Sequence, residues 1–198
     1  MESPLKETIP SVSQDDLEII KATLNESSQA FGELVEKYQA RLYNSIAHLF
    51  GPRDAEDIVQ DAFVKAFQKL STFRGTSSFY TWLYRIAFNT AVSYQRRHKT
   101  TTSLEQKKEK IGDYLPDKHD RPDECLEKKE RAEKIQLALH LLNEEHQTIL
   151  ILREYEEMSY ETIAEILKIP VGTIRSRLHR ARICLKDAIN QVLHKDFE

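Results

Sequence analysis

A chain of 198 residues, 40% hydrophobic and 31% charged, has room for one large or two small helix-rich domains, and its five glycines are few for an all-β fold. No apolar run is long enough to span a bilayer and no basic-then-apolar signal pattern opens the sequence, so a cytoplasmic protein, not itself membrane-inserted, is expected. The formal net charge of −3 argues against a nucleic-acid binder as an average, and Cys125 and Cys184 form no C-x-x-C, so neither a disulfide nor a zinc site is expected.

Residues 1–12, with Pro4 and Pro10, read as a loose tail. Ser13 followed by Asp16 resembles a helix N-cap with an acidic first turn, and Leu17, Ile19, Ile20 and Leu24 give a short amphipathic helix. A second helix is predicted from about Ser28 to Leu49, packing through Phe31, Leu34, Val35, Tyr38, Leu42, Ile46 and Leu49, and ending at Gly51-Pro52.

The third helix is predicted from Asp54, with Ile58, Val59, Ala62, Phe63, Ala66, Phe67 and Leu70 facing inward. Asp54, Asp57, Gln60, Asp61 and Lys65 lie away from that face. Acids in a first turn can simply offset the helix dipole, which accounts for Asp54, Glu56 and Asp57 but not for the continuation through Gln60 and Asp61. Between Arg53 and Asp61 four acids stand against one base, so a basic partner is expected.

After the break STFRGTSS comes a fourth helix, FYTWLYRIAFNTAVSYQRR, rich in aromatics: Phe73 just before it, then Phe79, Tyr80, Trp82, Tyr84, Phe88 and Tyr94. A small bundle would bury about half of these. Aromatic, hydroxyl and amide groups beside Arg85, Arg96 and Arg97 are also what stacks and reads unpaired bases, and composition leaves both roles open. From Arg85 to Lys110 seven basic residues stand against two acidic ones.

Residues 98–122 break periodicity and read as an interdomain linker. Pro122 to Leu142 resumes a helix, with Leu126, Ile135, Leu137, Leu139 and Leu142 as packing positions. Asn143 breaks or caps it, and Glu144 to Glu154 forms another helix with Ile149, Leu150 and Leu152 inside.

The stretch SYETIAEILKIPVGTIRSRLHRAR holds two short helical patterns across a turn. Ser159 is a natural N-cap, and Ile163, Ala164, Ile166 and Leu167 form one apolar face. Lys168, Ile169 and Pro170 break the pattern. A second helix follows from about Val171 to His194, with Ile174, Leu178, Ala181 and Leu185 inward. Its opposite face carries Arg175, Ser176, His179, Arg180 and Arg182, and Lys168 to Lys186 holds six basic residues and no acidic one. This describes a helix-turn-helix. Amide groups at Gly172 and Thr173 are placed to meet a DNA phosphate, while Arg175, Ser176, His179 and Arg180 can enter a major groove.

Three stretches, DAEDIVQDAFVKAF, STFRGTSSFYTWLYRIAFNTA and SYETIAEILKIPVGTIRSRLHRAR, together resemble the extracytoplasmic-function (group four) sigma factors of bacterial RNA polymerase, closest to the sigma-E type. The resemblance implies an all-α protein of two small domains: sigma region two over 13–97 and region four over 123–195, joined by the linker 98–122. It implies that Asp54, Asp57, Gln60 and Asp61 meet the clamp helices of the largest polymerase subunit, and that region four meets the flap. It implies that Phe73, Phe79, Tyr80, Trp82, Arg85 and Asn89 serve melting of the −10 element and hold a base flipped from it. It further implies that Arg175, Ser176, His179 and Arg180 read the −35 duplex, with Thr173 and Arg182 nearer the phosphates. Core polymerase, promoter DNA and an anti-sigma factor are the expected partners, and an envelope or extracytoplasmic stress response the expected setting. Many relatives have Glu where Thr162 stands, which leaves the capping box at Ser159 incomplete, and His179 stands at a position that varies among relatives.

No catalytic residue, metal or cofactor is expected: no histidine has a Glu three residues before it, and no Gly-rich phosphate loop or nucleophile motif is present. The residues by themselves also fit a free-standing dimeric regulator that binds a palindrome without polymerase.

Overall fold

The computed structural model of the chain describes residues 12–25, 28–98, 131–132 and 134–194. They fall into two compact units divided between residues 107 and 108, and no strand occurs among the described residues. The tail, apart from Val12, the linker, apart from His98, and Leu126 lie outside them.

The first unit begins with α1 (Gln14–Leu24), capped as expected: Ser13 Oγ accepts the Asp16 amide at 3.1 Å. Ile20 is buried, but Leu24 is exposed rather than inward. A 3₁₀ turn, Ser28–Ala30, leads into α2 (Phe31–Phe50), which starts a turn later than its periodicity suggested.

Gly51 serves both neighbouring helices, its amide donating to Ala47 O at 2.9 Å and its carbonyl accepting the Ala55 amide at 3.1 Å. Its φ of +89° is a conformation for which a Cβ is strained. α3 (Pro52–Lys69) therefore begins at Pro52, two residues before Asp54. Proline suits this first position, because its φ is preset and its missing N–H is one the first turn cannot use. A 3₁₀ turn, Leu70–Thr72, and a loop around Gly75 lead into α4 (Phe79–His98).

Leu34, Leu42 and Ile46 of α2, Ile58 of α3, and Phe79, Leu83 and Tyr84 of α4 are fully enclosed. Ala55, Ala62 and Ala66 on α3 and Ala87 and Ala91 on α4 are buried too, and these small side chains let the helices pack closely. Each large apolar side chain enclosed this way contributes about 1.5–3 kcal/mol. Tyr84 is tolerated because its hydroxyl shares a 2.9 Å hydrogen bond with Ser45.

In the second unit, α5 covers 134–140. Ala138 is its buried residue, whereas Ile135 and Leu137, expected inside, are exposed. Asn143 caps α6 (Glu144–Leu150), its Oδ1 accepting the His146 amide at 2.8 Å. The helix widens into a π-helical turn over Ile151–Tyr155. After it come α7 (Tyr160–Leu167) and the long α8 (Val171–His194). Ile149, Leu152, Ile163, Ile166, Ile174, Leu178 and Ala181 form the core, so the inward registers of α6, α7 and α8 agree with the sequence pattern.

Candidate functional site

Ser159 caps α7 without the Glu of a full capping box: its Oγ accepts the Thr162 amide at 3.1 Å and donates to Thr162 Oγ1 at 3.0 Å. Lys168 ends the helix in the left-handed region (φ +57°), a second cause of the turn beside Pro170. The Pro170 carbonyl then takes the amides of both Thr173 (2.9 Å) and Ile174 (3.1 Å). The Thr173 amide is thus not free, as the sequence pattern suggested, but closes the first turn of α8. Gly172 is exposed, and a Cβ there would meet nothing within 4 Å.

Arg175, Ser176, His179 and Arg180 all lie exposed on α8, one turn apart in pairs, and Thr173 is half-buried at its head. Ser176 Oγ donates to Thr173 O at 3.1 Å. Arg182 is exposed but engaged: Nε and Nη2 both reach Glu154 Oε1, at 3.0 and 2.7 Å. That hydrogen bond raises the guanidinium pKa further, and the Tyr160 phenol adds a smaller share. Arg182 therefore ties the π-turn to α8 in the free protein.

Tyr160 gathers these arginines. The Arg153 guanidinium lies 4.9 Å and that of Arg175 5.9 Å from its ring centroid. Arg153 also donates to Met158 O at 2.7 Å.

In the first unit the aromatics divide. Phe79 (0% exposed) and Tyr80 (6%) are buried in the free protein and form the floor beneath the loop. Phe73 and Trp82 are half-buried with ring centroids 5.3 Å apart, and Phe79 lies 5.8 Å from Phe73 and 5.7 Å from Trp82. Trp82, Arg85 and Asn89 recur at helical spacing along α4, sharing a side of it. Asn89 is exposed and donates through Nδ2 to Arg85 O at 2.7 Å.

The floor is anchored by a residue the sequence pattern did not single out for this. Asp16 is buried, taking Tyr38 Oη at 2.6 Å and Lys37 Nζ at 2.7 Å. Tyr38 packs on Phe79 (5.7 Å) and Tyr80 (5.5 Å), and the Arg41 guanidinium lies 4.1 Å from the Tyr80 ring centroid. Burial, then the Asp16 hydrogen bond, raises the Tyr38 pKa well above the ordinary tyrosine value.

On α3, Asp57, Gln60 and Asp61 are exposed and Asp54 is half-buried. Val64 and Phe67 extend the same surface; Phe67, expected inside, is 44% exposed and packs edge-to-face with Phe31, ring centroids 5.2 Å apart. Lys65 links the surface to α4, lying 4.0 Å from Asp61 and donating to Thr90 Oγ1 at 3.1 Å. The Tyr94 phenol of α4 lies beside these acids, and its pKa is raised by desolvation first and by Asp54 and Asp57 next. Among the described residues no group of His, Cys, Asp and Glu side chains could hold a metal ion, and no helix is long and apolar enough to cross a membrane.

Fold and surfaces together define an all-helical DNA-binding protein of two units, one of them a helix-turn-helix with an exposed basic face. Residues 34–101 match Sigma-70 region 2 and residues 132–185 match Sigma-70, region 4. The chain is 36% identical over 184 residues to the ECF RNA polymerase sigma-E factor of Haemophilus influenzae, spanning 90% of this chain and 97% of that protein. It is 34% identical over 188 residues to the RNA polymerase sigma-H factor of Pseudomonas aeruginosa, spanning 92% and 97%. Among solved structures it resembles the sigma factor RpoE of Bartonella quintana in complex with the anti-sigma factor NepR, with a TM-score of 0.63, 26% identity, and coverage of 81% of this chain and 96% of that one. The chain belongs to the sigma-70 family, among its extracytoplasmic-function members.

Proposed function

We propose that this sigma factor joins core RNA polymerase and directs it to an asymmetric promoter, reading a −35 duplex with α8 and opening the −10 element with α4. The observation that carries the reading is the exposed stripe Arg175, Ser176, His179 and Arg180 on the second helix of a helix-turn-helix, in a stretch from Lys168 to Lys186 with no acid. Arginine can give two hydrogen bonds to a guanine edge, worth about 1–3 kcal/mol of discrimination. Phosphate contacts from the Gly172 amide and the Thr173 hydroxyl would set the register of α8 on the duplex. Arg182 can join them through Nη1 while Nε and Nη2 hold Glu154.

Extracting a base from the stack costs a few kcal/mol, which stacking and edge hydrogen bonds must return. Phe73 and Trp82 supply ring faces, and Asn89 supplies an amide whose Oδ1 and second Nδ2 hydrogen can meet a base while the first holds Arg85 O. Phe79 and Tyr80 support them from below. Asp54, Asp57, Gln60 and Asp61, with Val64 and Phe67 beside them, suit a basic polymerase helix such as the clamp helices, and region four suits the flap. Region two covers 13–97 and region four 123–195, with 98–122 as linker.

The Bartonella relative is described in complex with an anti-sigma factor, and we extend that mode of control to this chain. The protein acts in the cytoplasm, in an envelope or extracytoplasmic stress response, as a binding subunit with no chemistry of its own.

Run-off transcription tests the reading, with bacterial core polymerase and a pool of promoter fragments, with and without the protein. Protein-dependent transcripts sharing a start position are expected. No transcripts, with tight binding of a palindrome by the protein alone, would leave a dimeric regulator instead.

A further inference from the structure

We propose that Tyr160 is the positioning residue of the −35 reader: its ring is the platform that holds Arg175 ready for a base edge. The inference rests on the reading of α8 given above. Tyr160 is fixed at its root, because it is the first residue of α7 and the Ser159 cap sets the helix entry. Its ring is also held from within the unit. The part-buried Arg153, itself bonded to Met158 O at 2.7 Å, lies 4.9 Å from the centroid. Arg175 of α8 lies 5.9 Å from the same centroid, inside the range of a cation–π contact.

An exposed arginine on a helix samples many rotamers, and ordering it at an interface costs affinity. A ring that already holds the guanidinium lowers that cost. The gain is larger at the right base, where both hydrogen bonds form, than at a wrong one, where the oriented fork is left half-satisfied. Arg182, two turns further along α8, is fastened to Glu154 and lies near the Tyr160 phenol. The hydroxyl can be removed without touching the ring face, so chemistry can separate the two.

The test replaces Tyr160 in the full-length protein by phenylalanine and then by mono-, di- and trifluorophenylalanine. Fluorine drains the ring face of negative charge while nearly keeping its size, so folding is not in question. Each variant is assembled with core polymerase, and its discrimination is measured between the −35 duplex selected from a randomised pool and single-base substitutions of it. Discrimination is expected to fall in step with fluorination by roughly two- to fivefold in all, the scale of an exposed cation–π contact. In an Arg175→Ala background the same series is expected to be flat. A flat series with Arg175 present, or an equal fall without it, overturns the inference. Arg175→Ala by itself separates the two levels: if it leaves base preference unchanged, the reading of α8 fails and this inference with it. If it relaxes preference while the ring series does nothing, only the role of Tyr160 fails.

Discussion

Tyr38 Oη donates a 2.6 Å hydrogen bond to the buried carboxylate of Asp16, pinning α1 to α2 beneath the aromatic floor of the loop. The phenol pKa is raised well above its ordinary 10.0, first by burial and then by that bond. The folded protein therefore keeps a proton that the unfolded chain releases near pH 10. The stability this confers is full below that pH and is lost as pH rises beyond it. Urea midpoints should fall between about pH 9 and 11, and fall less in Tyr38→Phe, which at neutral pH costs about 1 kcal/mol for the lost bond. Equal falls in both proteins would show that the alkaline loss arises elsewhere.

This pair marks the limit of what the sequence shows. Asp16 reads as an ordinary first-turn acid offsetting a helix dipole, because its partners, Lys37 and Tyr38, lie on another helix and no local pattern links them. Helices and caps were legible because they are local: Ser13, Asn143 and Ser159 each accept the amide three residues on. The basic stripe of α8 was legible because one period sets both its inward and outward faces. The aromatics of α4 were not, since Phe79 and Trp82 have similar composition signals and only burial tells floor from face. In and just after α5, apolar residues at 135, 137, 139, 141 and 142 fit more than one helical phase, and the buried Ala138 decides it. At Thr173 the amide's partner is a carbonyl, which no side-chain pattern reveals.

Lys168 stands at φ +57°, ψ 42° with its side chain exposed, in a conformation that costs an ordinary residue about 1–2 kcal/mol and glycine almost nothing. Glycine gives back part of that gain through its freer unfolded chain. Lys168→Gly should raise the stability of the second unit by about 0.5–1 kcal/mol, read from chemical unfolding followed by circular dichroism. Unchanged or lowered stability would mean that the Lys168 side chain does more than end the helix.

Gly172 poses the opposite balance. It is helical and exposed, and the protein leaves open space where its Cβ would stand, so alanine should add about 0.5 kcal/mol of stability. If a phosphate approaches the head of α8, the same methyl stands in its way. Gly172→Ala should then weaken −35 duplex binding roughly tenfold, about the worth of one charge-assisted hydrogen bond, while melting slightly higher. Unaltered binding in the stabilised variant would remove Gly172 from the interface.

Asp61 separates partner binding from folding. Its side chain is 65% exposed, and its ion pair with Lys65, at 4.0 Å along one helix, belongs to a class worth only about 0.3–0.5 kcal/mol. Asp61→Lys exchanges that attraction for a repulsion of similar size, so the first unit should lose less than about 1 kcal/mol and keep its helical circular dichroism. Lys65 keeps a second partner in Thr90, which holds α3 to α4 through the change. Against a basic polymerase helix the substitution places like charges together, and association with core polymerase should weaken roughly tenfold or more. Binding of the −35 duplex, carried by the other unit, should not change. A folded variant that joins polymerase as well as the parent would move the docking surface away from this end of α3, leaving Asp57 as part of the bundle rather than of the interface.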